Sequence, residues 1–373
     1  MGSNPKTILM VIRQGMIGGG ESHVLSVVSL LNKEKFRPVV LSFTPGEMVE
    51  ALEKQGVPVY VISTTTPFNP KLTSQIKAIL QKEKVDLIHA HGTRAASNIY
   101  RNAKRNAIPL IYTVHGWSFH PGLHPVMQFL RRAAERFLTK KADITICVSH
   151  ANEVEGKQLL GLKNSVVIAN GVNLNKFDIE ANYPDIREEL GIEKDKFLVG
   201  YIVRMTKQKN PLVLLQAIKI ALEQKKNIHF LLVGTGDLKP PMLEYIRENK
   251  LEESLTFLDF RTDVPAILAA IDLYILPSLW EGLPIGVMEA MAMGKACLVS
   301  NIATNEELIS EGVNGLTVSN QSAEAIAERI VYAAENRQEM EKLGKAALQT
   351  VKEKYLLQPM VNKLEKLYAT HLS

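Results

Sequence analysis

Residues 278–294 read SLWEGLPIGVMEAMAMG and follow the short apolar run of residues 273–276. The run predicts a buried β-strand. The residues after Pro284 predict a helix that Gly294 ends, because proline suits a first helical turn and glycine suits a helix end. Apart from Glu289 this helix is apolar on every side, so it should be buried. The stretch therefore indicates one strand–loop–helix step of an α/β fold.

The same alternation of apolar runs and amphipathic stretches continues along the whole chain. Near-continuous apolar runs indicate strands buried on both faces, which is typical of parallel sheets. Helical patterns, such as those of residues 21–31 and 71–81, lie between the runs. The predicted strands cover residues 7–12, 38–43, 57–62, 86–90, 110–114, 144–148, 166–168, 197–203, 228–233, 255–258, 273–276, 296–299 and 316–318. We therefore predict a doubly wound α/β architecture.

The chain has 373 residues, enough for two domains at about 150 residues per domain. A polar stretch without a strand, residues 175–196, separates the two series of strands. We place a first domain at residues 1–178, a second at residues 179–355, and a last helix at residues 356–373 that packs back on the first domain. Two facing open sheets would leave a cleft at the carboxyl ends of their strands, where such sheets bind ligands.

Composition excludes several classes of protein. The chain carries 44 Lys+Arg against 39 Asp+Glu, a net charge of +5 that is too mild to indicate nucleic acid binding. Cys147 and Cys297 lie in apolar runs and suggest buried free thiols in a reducing compartment, not a disulfide framework or a zinc site. The first residues lack the apolar stretch of a signal peptide, and no 18-residue window is continuously apolar. We therefore expect a cytoplasmic protein.

Two carboxylates frame the start of the apolar helix. A buried carboxylate is costly without hydrogen-bond donors, so Glu289 needs a partner. The helix N-terminus attracts phosphate and a carboxylate repels it, so Glu281 and Glu289 are better suited to accept hydrogen bonds from hydroxyl groups. Phosphate donors beside hydroxyl acceptors favour a nucleotide-sugar pocket. The alternative is that Glu289 is a structural acid paired with a lysine or an arginine.

A cationic loop follows the first strand of the second series, in residues 200–211, GYIVRMTKQKNP. Asn210 suits a helix N-cap and Pro211 suits the first helical position. Cations ahead of a helix N-terminus favour an anion site, and we assign Arg204 and Lys209 to a diphosphate, with Lys207 in solvent. An ordinary basic surface loop is the alternative.

A glycine-rich loop and two histidine clusters belong to the first domain. The loop, residues 14–23, QGMIGGGESH, allows the backbone to approach a ligand, although a plain tight turn explains it equally well. The segments HAH, residues 89–91, and TVHGW, residues 113–117, should end neighbouring strands, and His115 could reach a substrate or be structural. The spacing of these histidines does not indicate a metal site, and no acidic pair stands in a loop to hold a divalent ion.

Together these residues resemble the GT-B glycosyltransferases, specifically glycosyltransferase family 4, over nearly the whole chain. The most specific element is the pair Glu281 and Glu289, separated by seven residues as in the family signature. The segments NGVN (residues 170–173), GTG (residues 234–236) and FLDFRTDV (residues 257–264) also match. The resemblance implies two Rossmann-like domains and a retaining transfer from a nucleoside-diphosphate sugar without a metal ion or other cofactor.

The resemblance also implies roles for residues of the second domain. Arg204 and Lys209 match the pair that binds the donor diphosphate. Glu281 matches the acid that contacts hydroxyls of the donor sugar, and Glu289 matches the acid that binds the ribose. Backbone groups complete the donor site, with those of Gly282, Leu283 and Pro284 at the sugar and that of Phe260 at the base.

Two first-domain residues and one departure complete the resemblance. Gly19 matches the loop glycine that approaches the donor phosphate and the acceptor, and His115 matches the histidine beside the reacting centre. The family often has a Gly-Gly pair upstream of a glutamate. Here Ala303 and Thr304 stand in place of the glycines and Glu307 in place of the glutamate, so the local backbone contact is in question.

The expected substrates follow from the resemblance. They are a UDP-sugar or, next in order, a GDP-sugar that carries a hexose or N-acetylhexosamine, and a glycan or lipid-linked glycan of cell-surface polysaccharide synthesis. Residues 129–141 combine five cations with Phe129, Leu130 and Phe137 and have Glu135 as their one acid. Such a basic amphipathic helix suggests contact with an anionic membrane surface, and a solvated helix packed on the first domain is the alternative.

Other functions remain open or are disfavoured by specific features. A GT-B-fold UDP-sugar epimerase would not explain the glutamate pair, and a non-catalytic sugar-binding protein of two domains is normally exported. An NAD-dependent dehydrogenase needs GxGxxG after a strand and an acid about 20 residues later, and neither is present. A glycogen phosphorylase needs a much longer chain and a lysine that holds its cofactor.

Overall fold

The computed structural model describes residues 4–372, which form two compact units. The first unit contains the chain up to Gly171 together with the part from Leu357 onward, and the second is Val172–Leu356. The sequence interpretation divides the chain after residues 178 and 355, whereas the compact units divide it after residues 171 and 356.

The first unit is built on a seven-stranded parallel sheet. Its elements are β1 (Lys6–Ile12), α1 (Gly19–Leu30), β2 (Phe36–Ser42), α2 (Glu47–Lys54), β3 (Val59–Val61), a 3₁₀ turn (Pro70–Leu72), α3 (Thr73–Glu83), β4 (Leu87–His91), α4 (Thr93–Arg105), β5 (Leu110–Val114), α5 (Pro125–Lys141), β6 (Ile144–Cys147), α6 (His150–Leu160) and β7 (Ser165–Val167). The strand order is β3-β2-β1-β4-β5-β6-β7, which places the first strand of the chain inside the sheet.

The second unit is built on a six-stranded sheet in which the paired strands are also parallel. Its elements are α7 (Ile186–Leu190), β8 (Phe197–Ile202), a 3₁₀ turn (Lys207–Lys209), α8 (Pro211–Gln224), β9 (Ile228–Val233), α9 (Lys239–Glu248), β10 (Leu255–Leu258), α10 (Val264–Ala270), β11 (Leu273–Leu276), α11 (Ile285–Ala292), β12 (Ala296–Ser300), α12 (Ala303–Glu306), β13 (Leu316–Val318), α13 (Ala323–Glu335) and α14 (Arg337–Lys354). The strand order is β10-β9-β8-β11-β12-β13.

The predicted fold class is confirmed by these two α/β units. Every strand predicted from the sequence is present, and the ends differ by no more than two residues. The inner strands are buried almost throughout, since helices cover both faces of a parallel sheet, whereas the edge strands β3, β7 and β10 are mostly half-buried. The apolar runs and their spacing therefore sufficed to predict the strands.

In each sheet the strand order reverses beside the first strand of the unit. β1 lies between β2 and β4, and β8 lies between β9 and β11. Ligands of open α/β sheets bind outside the carboxyl ends of the strands at such a reversal, because the neighbouring connections leave toward opposite faces. The loops that follow β1, β4, β8 and β11 are thus the ones placed to carry a site.

The last helix, α15 (Leu357–Leu372), packs within the first unit. Its apolar face enters the core beside α1 and β1, and the Tyr368 ring meets the Phe36 ring edge to face at 5.7 Å between centroids. The backbone N–H of Asn32 donates to Glu365 Oε1 at 2.7 Å. Apolar burial and polar contacts together hold this helix on the first unit, although the whole second unit lies between them in the sequence.

Helix α14 approaches the loop after α11 at one glycine. A Cβ atom built on Gly344 would lie 2.0 Å from the carbonyl oxygen of Gly294, which is a clash. The clashing atom belongs to the backbone, so a side-chain rotation cannot relieve it. We expect Gly344→Ala to lower the free energy of unfolding by about 1–3 kcal/mol, because overpacking forces the two segments apart. Thermal and denaturant melts of this variant and of Lys345→Ala, an exposed neighbour on α14, test the contact. Equal melting of both variants would contradict it.

Candidate functional site

At the reversal of the second sheet, the loops after β8 and β11 are joined by an ion pair. Lys209 Nζ lies 2.5 Å from Glu281 Oε1, and the Glu281 side chain is only 6% exposed. Gln208 Nε2 donates to the carbonyl oxygen of Trp280 at 2.9 Å and to Glu281 Oε2 at 3.3 Å. Two residues that the sequence assigned to different parts of a ligand are therefore in direct contact.

The turn that presents Lys209 ends in a left-handed residue. Asn210 has a φ of 58°, a conformation that asparagine tolerates better than most residues. Asn210 is the N-cap residue of α8, as predicted, but its side chain makes no capping bond to the helix, and its Nδ2 donates to the Asn320 carbonyl at 2.6 Å. The Tyr201 hydroxyl donates to the carbonyl oxygen of Lys209 at 2.8 Å, which fixes the turn against β8.

The two other cations of this loop are exposed. Arg204 follows β8 and Lys207 begins the 3₁₀ turn, and both side chains reach solvent. Arg204 thus lies on the same sheet edge as the buried pair of Lys209 and Glu281, as the sequence suggested. Lys207 has the solvated position that the sequence interpretation gave it.

Glu289 occupies the second turn of α11, among neighbours of the helix that are almost all buried. The carboxylate is half-buried, and desolvation raises its pKa to about 7, opposed by the charge of Lys176. Within residues 4–372 no group donates a hydrogen bond or forms an ion pair to this carboxylate. The alternative of a structural acid with a bonded lysine or arginine therefore finds no support in the contacts.

The loop before α11 is packed closely against the sheet. Gly282, Leu283 and Pro284 are buried, and Pro284 is the N-cap of α11 instead of a residue of its first turn. A Cβ atom built on Gly286 would lie 2.6 Å from the Tyr274 hydroxyl, which itself donates to the Ile202 carbonyl at 3.2 Å. Only glycine lets the helix begin this close to the carboxyl ends of β8 and β11.

Two further segments lie near the same sheet edge. Phe260 follows β10 and is 43% exposed. Ala303 is the first residue of α12 and Thr304 is buried in it, so both residues that replace the glycines have helical conformations they adopt without strain. The Glu307 carbonyl accepts a hydrogen bond from the Tyr355 hydroxyl at 2.8 Å.

The glycine loop of the first unit leads into α1 at the carboxyl end of β1. Gly19 is the first residue of the helix and is exposed, and Gly18 caps it without a side-chain bond. A Cβ atom built on Gly20 would lie 3.4 Å from the His115 ring. Glu21 is buried in the first turn with Arg13 Nε at 3.8 Å, a carboxylate of this unit that the sequence interpretation did not weigh.

Four histidine rings gather beside this loop. His91 Nδ1 and His115 Nε2 lie 3.1 Å apart, and the His23 ring meets the His115 ring edge to face at 5.0 Å between centroids. His89 bonds the Tyr368 hydroxyl and the Thr113 hydroxyl at 2.7 and 2.6 Å. Desolvation lowers the pKa of His23 to about 4, that of His89 to about 3, and those of His91 and His115 well below their usual range. The four imidazoles are therefore neutral at physiological pH.

Three of these rings also have the composition of a metal site. Ligand nitrogens of His23, His91 and His115 all lie within 4.8 Å of one another. Spacing could not reveal this set, because His23 lies on α1, remote in sequence from the strands. Two features oppose a bound cation. His91 and His115 already bond each other. The positive charge of Arg13, which adds to desolvation in lowering the pKa of His115, would also repel a metal ion. We therefore treat the set as a hydrogen-bonded cluster.

Helix α5 presents more positive charge than its sequence suggests. Glu135, which the sequence places among the five cations, is fully buried and accepts bonds from Thr93 Oγ1 at 2.7 Å and Tyr112 OH at 2.8 Å. Glu135 therefore does not offset the charge of the five cations at the surface. Phe129 and Leu130 are 71% and 53% exposed on the same helix. No helix within residues 4–372 is long and apolar enough to cross a membrane.

Known proteins resemble this chain in fold or in sequence. The crystal structure of Anabaena Alr3699/HepE in complex with UDP and glucose matches with a TM-score of 0.85 at 23% identity, over 97% of this chain and 99% of that one. Sucrose-phosphate synthase of Thermosynechococcus elongatus matches with a TM-score of 0.85 at 18% identity, over 98% of both chains. The UDP-Gal:alpha-D-GlcNAc-diphosphoundecaprenol alpha-1,3-galactosyltransferase of Escherichia coli is 29% identical over 336 residues, 86% of each chain.

Two family models match consecutive parts of the sequence. The model described as Glycosyltransferase Family 4 matches residues 17–176, and the model described as Glycosyl transferases group 1 matches residues 182–350. Together with the two parallel-sheet units, these matches define a glycosyltransferase of the GT-B fold. The chain belongs to glycosyltransferase family 4. It is therefore an enzyme that transfers glycosyl groups.

Replacement of Glu289 by glutamine tests whether its carboxylate lacks a protein partner. Its pKa rises from 4.5 to about 7 on folding, so the unfolded chain loses this proton first and the folded state loses stability as the pH rises through that interval. We expect Glu289→Gln to melt at a higher temperature than the wild type at pH 8.5, with the difference shrinking toward pH 5. A glutamine variant that is less stable at pH 8.5 would show that the protein itself satisfies the carboxylate.

Proposed function

We propose that this enzyme transfers a hexose or N-acetylhexosamine, with retention of anomeric configuration, from a UDP-sugar to a hydroxyl of a lipid-linked glycan. GDP is the second choice of nucleotide. The observation that carries the proposal is Glu289, a desolvated carboxylate with no donor from the described protein, on a helix that is otherwise apolar. The hydroxyls of a ribose supply the donors that this carboxylate lacks.

The other residues that we assign to the donor site lie at the same sheet edge. We assign the diphosphate to Arg204 and Lys209, since both cations lie in the loop after β8 ahead of α8. Glu281, held by Lys209 and Gln208, accepts bonds from hydroxyls of the donor sugar, with the backbone of Gly282, Leu283 and Pro284 beside it. The backbone next to Phe260 holds the base. The UDP-galactose in the name of the Escherichia coli relative and the UDP bound to HepE support a uridine nucleotide.

The reaction we propose needs no protein nucleophile. The acceptor hydroxyl attacks the anomeric carbon on the face that the diphosphate leaves, the bond from that carbon to the phosphate oxygen breaks, and this oxygen takes the hydroxyl proton. Arg204 and Lys209 stabilise the charge that develops on the leaving diphosphate, which is the largest contribution to the rate. Attack and departure on one face retain the configuration. No step requires a metal ion, and His115 binds a sugar hydroxyl or a phosphate oxygen.

Removal of either diphosphate cation tests the proposal most simply. We expect Arg204→Ala and Lys209→Ala to lower kcat by about 10²-fold each, because the leaving group then lacks half of its positive partners. Lys207→Ala is the matched control, since Lys207 belongs to the same loop and is exposed. Transfer from UDP-, GDP- and ADP-sugars to a GlcNAc-diphosphoprenol acceptor is measured by mass spectrometry. The anomeric configuration of the product is determined by proton NMR.

The same assay separates the alternatives. A chelator should leave the transfer rate unchanged. A rate that falls with the chelator and recovers when metal is added would contradict metal-independent chemistry. An epimerase would convert the nucleotide sugar without any acceptor, and a non-catalytic binding protein would bind nucleotide sugars without turnover. Normal rates in both alanine variants would overturn the assignment of the diphosphate.

For the acceptor, we propose that α5 rests on an anionic membrane surface. Its exposed Phe129 and Leu130 can enter the interface, and Glu135, the one acid of this cationic stretch, is internal. Arg131 and Arg136 donate to the carbonyl oxygens of Ser118 and Leu160, which are uncharged acceptors. A lipid-linked acceptor, such as the one in the name of the Escherichia coli relative, would then lie at the same surface.

Liposome flotation measures this contact. We expect the wild type to float with vesicles that contain anionic lipid and to remain in solution with neutral ones, because charge attraction adds to apolar insertion. The double variant Phe129→Ser, Leu130→Ser should lose most of the floated fraction. Val154→Ser removes an apolar side chain that is 49% exposed on α6 and should float like the wild type. Equal recovery with both kinds of vesicle would exclude attraction by charge.

A further inference from the structure

The contact between His91 and His115 admits only one proton. His91 is the last residue of β4 and is buried, and His115 follows β5. His91 Nδ1 and His115 Nε2 are 3.1 Å apart, so one nitrogen donates an N–H and the other accepts it with its lone pair. Because both rings are neutral, the choice of donor decides where each ring carries its single proton.

The two arrangements differ in what they leave at the far nitrogens. If His115 donates from Nε2, the proton of His91 must sit on its own Nε2, and His115 exposes a lone pair at Nδ1. If His91 donates from Nδ1, its Nε2 carries only a lone pair, and the proton of His115 sits on Nδ1. No described residue bonds Nδ1 of His115, so this nitrogen is the one available to a substrate.

The surroundings of His91 decide between the two arrangements. His91 Nε2 is fully enclosed and has no hydrogen-bond partner among the described residues. Burial of an N–H group without an acceptor is rarer and costlier in proteins than burial of an unused lone pair. The first arrangement requires that orphaned N–H, and the second does not. His91 is therefore the donor in this pair.

We propose that His91 is a positioning residue that holds the proton of His115 on Nδ1, so that His115 offers its substrate an N–H donor and not a lone pair. This inference rests on the proposed function, in which His115 binds a sugar hydroxyl or a phosphate oxygen. An N–H group at Nδ1 of His115 cannot take a proton from the hydroxyl of the acceptor substrate. This agrees with the proposed reaction, in which the leaving phosphate oxygen takes that proton.

The protonated nitrogen can be observed directly. Long-range proton–nitrogen NMR of the full chain, labelled with ¹⁵N-histidine, distinguishes nitrogens that carry a proton from those that carry a lone pair. His115→Gln identifies the His115 signals by their disappearance. We expect a protonated Nδ1 and an unprotonated Nε2 in His115. The reverse pattern would overturn the proposal, and this readout does not depend on catalysis, so it stands apart from any failure of the proposed function.

Variants of His91 test the consequence for transfer. We expect His91→Leu to lower kcat on the order of tenfold with little change in the KM of the donor, because one hydrogen bond that orients His115 is lost. His91→Asn places an amide where Nδ1 stood and should recover most of kcat. Tyr368→Phe is the matched control, since it removes one buried bond of His89 and none of His115. Equal losses in His91→Leu and His91→Asn, or in His91→Leu and Tyr368→Phe, would show that His91 serves packing alone.

Discussion

The candidate site depends on the reversal of strand order beside β8. Because β8 pairs with β9 on one side and β11 on the other, the loops that leave its carboxyl end and that of β11 meet at one edge. The contact of Lys209 with Glu281 is the direct result. The first unit repeats the arrangement around β1, whose loop leads to Gly19 and whose neighbour β4 ends at His91.

The second unit maintains charged groups at a cost to its own stability. Among residues 4–372, Glu289 is desolvated on an apolar helix without a bonded cation, and the almost fully buried side chain of Glu281 has Lys209 and Gln208 as its hydrogen-bond partners. A protein under selection for stability alone would place an apolar or amide side chain at position 289, since an unsatisfied carboxylate opposes folding. Such an arrangement is expected where a ligand supplies the missing hydrogen bonds.

The sequence predicted the strands and the site loops well, because both depend on local patterns. Buried runs mark the strands, and Arg204, Lys209, Glu281 and Glu289 lie in the loops, the turn and the helix that follow β8 and β11. What it could not predict depends on tertiary contacts. His23 joins the histidine cluster from a helix that no spacing relates to β4.

Two other differences have the same origin. Glu135 is the one acid in the cationic stretch of α5, and its side chain points inward to Thr93 and Tyr112. Asn210 has the residue type of a helix cap, but its backbone is left-handed and its side chain bonds Asn320 instead. In each case a partner distant in sequence determines where the polar side chain points.

The proposed donor site requires that Glu289 and the cationic loop after β8 bind one nucleotide. A crystal structure of the protein with UDP tests it most directly. We expect both ribose hydroxyls at hydrogen-bond distance, about 3 Å, from the Glu289 carboxylate, and the diphosphate on Arg204 and Lys209. A nucleotide bound away from Glu289, or with its phosphates remote from the loop after β8, would contradict it.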